Sequence, residues 1–476
     1  MAALHSLPTR DLLAIVRDGL GNAGLPPKRV IVLGAGMAGL VAASELRRAG
    51  HEVVLLEARA RVGGRVQTLR EPFAPGLYAE AGAMRIPSSH QLTMAYIARY
   101  GLQTVPMTGA YANDLVFFNG RRAYMSEIEA HPHELGFEAA AFRREQTILE
   151  RWAEVVEDAA AHAEDDAYWQ ALAARHGDCS LREFLARDGW SEEAIVAFGL
   201  LTTYEVILSA SFIDSLRSDV ALHDAHLVQI SGGMDGLPRA FLPELQGCLR
   251  FGAEVTALAQ SPAEVTVHFT TAAGRAEVHG ARAIVTLPFP ALRFIEVTQP
   301  FSIGKQRAIR GLPYMAAAKV LLQFRRRFWE DDDGIVGGST ATDLPIRLIY
   351  YPEHGRETGR GVLLASYTWG EDAERWGSLP PLRRIGEAVR QLACIHPQAA
   401  EEVEAGTSVI WHEDRFAGGA FAFFEPGQET RLHAHIVAPE GRIHFAGEHT
   451  SLKHAWIEGA VESGLRAALE VHQAPA

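Results

Sequence analysis

Residues 29–39, RVIVLGAGMAG, combine the residue types that cradle a pyrophosphate. An apolar run at 29–33 leads into Gly34-x-Gly36-x-x-Gly39, and helical periodicity follows over 37–49. In such a turn the first glycine permits the bend. The second lets a pyrophosphate approach the backbone, and the third lets helix and strand pack closely. The unpaired N–H groups of the helix start then face the phosphate charge. A second apolar run, EVVLLE at 52–57, ends on Glu57, whose carboxylate is placed to accept hydrogen bonds from ribose hydroxyls. A glycine turn alone is a weak signal. Strand, turn, helix, strand and acid in this order define a βαβ unit that binds a dinucleotide.

This unit is compatible with either NAD or FAD. The segment that follows, ARVGGRVQT, places Gly63, Gly64 and Arg65 just beyond the acid, which reads either as a close backbone approach with a cation or as a surface turn with a solvated arginine. Near the other end of the chain, FAGEHT at 445–450 repeats the strand-then-glycine pattern with Glu448. Two distant segments around one ligand imply a long, enclosed dinucleotide. That favours FAD, whose isoalloxazine reaches into a second domain.

The elements that must position these groups change texture along the chain. From about 125 to 230, stretches such as FEAAAFRREQTILERWAEVVEDAAAHAEDDAYWQALAARH have apolar residues at helical spacing, and Ser180 and Ser191 stand as helix N-caps. The apolar window 194–212 reads as a buried helix, because Thr202, Thr203 and Glu205 interrupt it too often for a membrane span. GGMDGLPRAF reads as a loop entering a helix. Short β-type runs follow at 264–269, 281–288, 317–324, 345–351, 361–369 and 441–449, and a closing helix at 456–472. A domain assembled from sequence-distant pieces, with others inserted between them, fits this order.

The chain has 476 residues, room for two or three domains, and its 45 Lys plus Arg against 58 Asp plus Glu give a formal charge of −13. That balance opposes nucleic acids and anionic membranes as partners. Three scattered cysteines, Cys179, Cys248 and Cys394, show neither disulfide nor zinc spacing and read as three buried thiols in a reducing compartment. The N-terminal stretch lacks the pattern of a secretory signal, so a cytoplasmic location is expected.

GAGMAGL, EARARVGGR, GAMRIP (82–87), SFIDSLRSD (211–219), GGMDGLP (232–238), the segment 319–347 and HFAGEHTSLKHAWIEGAVESGLRAA (444–468) together resemble the L-amino-acid oxidases of the flavin amine oxidase superfamily, from about residue 29 to 470. The resemblance implies an α/β (α+β multidomain) fold. A Rossmann-like FAD-binding domain would be built from 28–65, 233–312 and 433–476. A mixed-sheet substrate-binding domain would take 66–124 and 313–432, and an inserted helical domain 125–232. It implies FAD contacts from Gly34, Gly36, Met37, Ala38 and Gly39 at the pyrophosphate, Glu57, Ala58 and Arg59 at the adenosine ribose, Gly64 and Arg65 at the linker, and Val255 at the adenine. Gly82, Ala83, Met84 and Arg85 would run beside the isoalloxazine, and Gly447, Glu448, Ala455, Trp456, Ile457, Glu458, Gly459 and Ala460 would close over it.

Arg85 is the implied substrate anchor, since a guanidinium grips a carboxylate in a two-pronged fork. Tyr367 is implied as a second donor to that carboxylate, with Trp456 and Ala455 as the wall of the substrate site. Lys319 begins an otherwise apolar β run, where a lysine is costly without a partner; in the superfamily a lysine here holds a water near flavin N5. Two departures stand out. Ser218 occupies the position where some amino-acid oxidases carry a histidine, and the nearby His223 and His226 read as structural or solvated. Ala420 follows the glycine pair where monoamine oxidases carry a cysteine, so the FAD is expected to be non-covalent.

The implied reaction is oxidation of an L-α-amino acid by O2, with hydride transfer from Cα to flavin N5, yielding a 2-oxo acid, ammonia and hydrogen peroxide. The alternatives on the same scaffold are an amino-acid 2-monooxygenase (oxidative decarboxylase) and a polyamine or monoamine oxidase. The side-chain pocket is expected to draw on the helical region and on GGAFAFFEPG (418–427), where Glu425 could favour basic substrates. A homodimer is implied, and no metal.

Overall fold

The computed structural model describes residues 7–21, 26–107, 114–128, 136 and 148–475. The helical texture expected over 137–147 falls outside the described residues.

A five-stranded parallel sheet carries the glycine turn. Its order is Leu249–Arg250, Glu52–Leu56, Arg29–Leu33, Arg282–Val285 and Ile443–Phe445, so three sequence-distant stretches of chain meet in it. Alternation along the central strand explains its burial on both sides. Val30 and Val32 join the core beneath the helices Met37–Arg48 and Ile457–Gln473, while Ile31 and Leu33 join the core on the opposite face. The two helices pack closely because Gly464 leaves room; a Cβ there would lie 2.6 Å from the Ala38 carbonyl oxygen. The opposite face is covered by a four-stranded sheet, Gly274–Gly280, Val265–Thr271, Glu254–Gln260 and Glu296–Val297.

A seven-stranded mixed sheet forms the second layer, in the order Val403–Ile410, Ala317–Phe324, Gly361–Trp369, Leu348–Tyr350, Ser339–Thr342, Leu115–Phe118 and Arg121–Tyr124. Every residue of Ala317–Phe324 is buried, and the strand is flanked on both sides, so Lys319 lies well inside the sheet. The β run expected over 345–351 shrinks to Leu348–Tyr350, because Arg347 adopts a left-handed φ of 59° and its N–H closes a turn onto Leu344.

The region after 148 is helical as expected, with Ile148–Ala160, Asp166–His176, Leu181–Arg187, Glu192–Thr202 and Phe212–Val220 around their own core. Ser180 caps its helix in a reciprocal capping box with Glu183, and Ser191 accepts from Ala194 N–H. The apolar window 194–212 is not one helix. Thr203 takes a left-handed φ of 62° and ends Glu192–Thr202; a single 3-10 turn, Glu205–Ile207, follows, and the next α-helix begins at Phe212. Among the described residues no helix is long and apolar enough to cross a membrane. Cys179 and Cys248 are buried and unpaired, but Cys394 is exposed, because it falls on the outer side of the helix Pro381–Ile395.

Candidate active site

A cavity of about 1350 Å³ runs from the glycine turn to the helices Ile148–Ala160 and Phe212–Val220. It exceeds the roughly 300–1,000 Å³ of an ordinary single-ligand pocket.

At one end the three glycines divide their work by geometry. Gly34 bends the chain at a φ of 97°. A Cβ on Gly39 would lie 2.0 Å from the Gly34 carbonyl oxygen, so this position serves helix–strand packing and stays off the cavity wall. A Cβ on Gly36 would meet nothing within 4 Å; here the backbone borders open cavity. The helix Met37–Arg48 begins at Gly36 with no side-chain cap, leaving its first N–H groups to a ligand. Glu57 is buried and accepts from the backbone N–H of Ala35 and of Arg59, each at 2.8 Å. Each carboxylate oxygen keeps a further lone pair for a hydroxyl. Ala58, Arg59 and Val255 line the same end. These features fit the adenosine and pyrophosphate of a flavin dinucleotide.

Midway along, Arg65 donates to Glu448 Oε1 at 2.8 Å and to the Ala420 carbonyl at 2.9 Å. The Glu448 carboxylate also accepts from Ala422 and Ala455 N–H. Ala455 holds a left-handed φ of 65°, a backbone conformation that costs a non-glycine residue energy and concentrates at functional sites. Gly64, Gly447, Ile457 and Ala460 line this stretch, and so does Ala420, in the position where no thiol is available.

At the inner end, Gly82 fits only as glycine, since a Cβ would lie 1.7 Å from the Arg65 carbonyl oxygen. Trp411 holds the preceding residue, donating to the Ala81 carbonyl at 2.8 Å. Lys319 Nζ donates to the carbonyls of Gly82 at 2.7 Å and Glu80 at 3.1 Å and sits 4.7 Å from the centre of the Tyr367 ring, its register partner on the neighbouring strand. Burial pulls the Lys319 ammonium down to about 7, with Glu80 opposing and Arg85 adding to the shift. Burial likewise pushes the Glu80 carboxyl up to about 7, although Met234 N–H and the Thr68 hydroxyl donate to it.

Arg85 immediately precedes the strand Ile86–Pro87, which pairs with Leu227–Ile230, and Gln229 secures the preceding carbonyl of Met84 at 2.8 Å. Its guanidinium lies 5.9 Å from the Trp456 ring centre and donates to the Tyr350 hydroxyl at 3.3 Å. Tyr367 lines the cavity beside them, its phenol pushed up to about 12 chiefly by burial.

The structure thus gathers Arg85, Lys319, Tyr367, Trp456 and Ala455 on one wall, with Ala83 and Met84. Gly39, Glu458 and Gly459 do not reach it. Glu458 is turned away to cap the helix Gln91–Arg99, accepting from Leu92 and Thr93 N–H and the Thr93 hydroxyl. Gly459 packs against the Lys453 carbonyl. Glu425 is also off the wall, accepting from Gln428 Nε2 at 2.9 Å. Ser218 and His223 border the cavity, and His226 does not.

Two residues of the wall carry no sequence signal of their own. Tyr350 sits in a β run that shows only its strand character. Asp219 closes the SLRSD segment and faces the cavity from the helix Phe212–Val220.

The profile of the flavin containing amine oxidoreductases matches residues 37–472, and the chain belongs to that family. A flavin is therefore its cofactor. It is 39% identical over 481 residues to YobN of Bacillus subtilis (strain 168), covering 99% of this chain and 100% of that protein. It is also similar to the L-amino-acid oxidases of Siganus canaliculatus (33% identity; 99% and 90% covered) and Mus musculus (35%; 97% and 73%). Among solved structures it resembles putrescine oxidase bound to putrescine, with a TM-score of 0.79 and 22% identity (94% and 100% covered). It also resembles cyclohexylamine oxidase from Brevibacterium oxydans IH-35A, at 0.76 and 21% (94% and 99%). These two establish the shared fold.

Proposed function

We propose that the protein oxidises free L-α-amino acids with dioxygen, using FAD held without a covalent bond. The products are a 2-oxo acid, ammonia and hydrogen peroxide. The observation that carries this reading is Arg85, a guanidinium on the cavity wall between Tyr350 and Trp456. An oxidase of simple amines has no carboxylate for it to hold. The full-length similarity to L-amino-acid oxidases of a fish and a mouse supports the same substrate class.

In this reading the FAD domain comprises 28–65, 233–312 and 433–476, the substrate domain 66–124 and 313–432, and the helical domain 125–232. Glu57 takes the ribose hydroxyls, the backbone from Gly36 to Ala38 the pyrophosphate, and Val255 the adenine. Non-covalent binding is supported by Ala420 and by the absence of all three cysteines from the cavity wall. A homodimer and a cytoplasmic location belong to the same reading, the second supported by unpaired thiols.

A flavin held there would supply the two-electron chemistry, as acceptor of the Cα hydride and donor of electrons to dioxygen. Arg85 forks the substrate carboxylate, and Tyr367 donates a second hydrogen bond to it, which presents the α-hydrogen in one orientation. Trp456 and Ala455 line the site beside Arg85. A neutral substrate amine needs no side-chain base. Lys319 keeps a protonatable amine at the flavin end. Two of its N–H bonds go to carbonyls, and the third faces the weak acceptor Met84 Sδ at 3.6 Å, which a water would displace.

An anaerobic bleaching assay across the twenty L-amino acids and a panel of amines, with peroxide measured in air, tests the reading. Bleaching by amino acids with stoichiometric peroxide and 2-oxo acid is expected. Bleaching by amines alone overturns it, and an amide with carbon dioxide identifies an oxidative decarboxylase instead.

A further inference from the structure

Asp219 has no part in the chemistry above, yet it is an acid on the wall of the cavity. It is partly exposed, and it lies deep in the protein, so the surface it exposes is the cavity wall. Trp152 Nε1 donates to its Oδ2 at 2.6 Å, and the Tyr204 hydroxyl donates to its Oδ1. Both donors are neutral. They fix the carboxylate and leave its charge in place, with further lone pairs facing the cavity. Arg85 is a cation whose field reaches it. Asp114, a second acid of the cavity lining, is likewise held by neutral donors, the N–H and hydroxyl of Ser339, but among the described residues no cation's field on it matches that of Arg85 on Asp219.

We infer that Asp219 sets the charge selectivity of the substrate cavity, favouring L-amino acids whose side chain ends in a cation and rejecting those with a second carboxylate. This rests on the amino-acid oxidase reading above. In the empty cavity Arg85 balances the charge of Asp219. Once Arg85 is committed to a substrate carboxylate, Asp219 is left with neutral donors among the described residues, deep in the protein where charges act more strongly than in water. An ammonium or guanidinium at the end of the side chain restores neutrality. A neutral side chain leaves the imbalance, and a carboxylate doubles it. The surrounding surface of Leu149, Trp152, Val156 and Ile207 accommodates the methylenes of a long side chain while its head stays at the acid.

The test compares isosteric pairs on the flavin-loaded enzyme: L-lysine against L-norleucine, and L-glutamate against L-glutamine. In the wild type kcat/KM is expected to favour lysine over norleucine and glutamine over glutamate, each by about tenfold or more, the scale of one unscreened charge contact. Asp219→Asn, whose carbonyl can accept from Trp152 while its amide N–H donates to the turned Tyr204 hydroxyl, is expected to bring both ratios close to one while norleucine turnover holds. Tyr204→Phe, which leaves the charge, is expected to preserve both ratios. Should Asp219→Asn lose its flavin, the wild-type ratios decide alone. Ratios near one in the wild type overturn the inference. So does an equal fall for every amino acid in Asp219→Asn, which marks a residue that only steadies Arg85. In both cases the oxidase reading stands; a flavin bleached by amines and by no amino acid removes both.

Discussion

Arg65 and Glu448, 383 positions apart, meet in an ion pair at 2.8 Å beside the glycine turn. The pair ties the segment after the first βαβ unit to the loop before the last helix, where the carboxylate also gathers the N–H groups of Ala422 and Ala455. A guanidinium one-fifth exposed against a carboxylate only 8% exposed is little screened by solvent. Losing one partner leaves the other charge buried, which costs about 3 kcal/mol. Arg65→Met is therefore expected to lower the melting temperature and speed flavin release on dilution. Glu448→Gln, which keeps an acceptor, should lose less. A double-mutant cycle showing no coupling between the two would separate the pair from the fold's stability.

Gly36 and Gly39 predict opposite outcomes for the same change. Gly39→Ala drives a methyl into the Gly34 carbonyl and is expected to destabilise the protein by about 1–3 kcal/mol, with or without flavin. Gly36→Ala adds a methyl where only cavity stands, so the flavin-free protein should unfold as the wild type does while flavin affinity falls. Denaturant unfolding of both forms, beside flavin titration, checks the contrast; equal destabilisation by the two substitutions contradicts it.

Arg85→Ala is expected to reduce kcat/KM for L-amino acids by roughly a hundredfold or more, the loss of a charge-assisted contact worth about 3 kcal/mol. The flavin spectrum should persist, because the guanidinium faces the substrate side beside Trp456 and Tyr350. Any amine the enzyme turns over slowly should be unaffected. Arg85→Lys, which keeps the charge and loses the fork, should recover only part of the rate. Steady-state kinetics on one amino acid and its decarboxylated amine resolves these cases, and an equal loss on both would assign Arg85 to structure.

Lys319 and Glu80 impose opposite slopes on stability against pH. The Lys319 amine is shifted from 10.5 to about 7, so between those values the unfolded chain binds a proton that the folded chain lacks. Its contribution to stability therefore rises with pH across that window and is lost as pH falls toward 7. Glu80 is shifted from 4.5 to about 7, so its contribution is full below 4.5 and lost as pH climbs to 7. Relative to the wild type, Lys319→Met is expected to flatten the rise above pH 7, and Glu80→Gln to remove the fall below it. Urea unfolding from pH 5 to 10 measures both, and a Lys319→Met curve parallel to the wild type above pH 7 contradicts the assignment.

The first βαβ unit was legible from sequence because its signals are local. Gly34, Gly36, Gly39 and Glu57 do their work within two strands and a helix contiguous in the chain, where backbone geometry alone decides who faces whom. The cap at Ser180 is legible for the same reason. Short-range physics also explains the central parallel strands, whose unbroken apolar runs require cover on both faces.

Tertiary structure alone decided which polar groups share the cavity. Glu458 and Trp456 stand two residues apart, yet one caps a distant helix and the other walls the cavity, because the chain turns into its last helix between them. Glu425, an acid in an aromatic loop, is consumed by Gln428, while Asp219, inconspicuous on a helix, lines the same cavity as Arg85 and feels its charge. Tyr350 meets that arginine from a strand that starts just after the left-handed turn at Arg347, 265 positions along the chain from Arg85. Periodicity along a chain tells a buried face from an exposed one; it carries no term for which buried groups meet, since that depends on contacts hundreds of residues apart, formed only when the layers close.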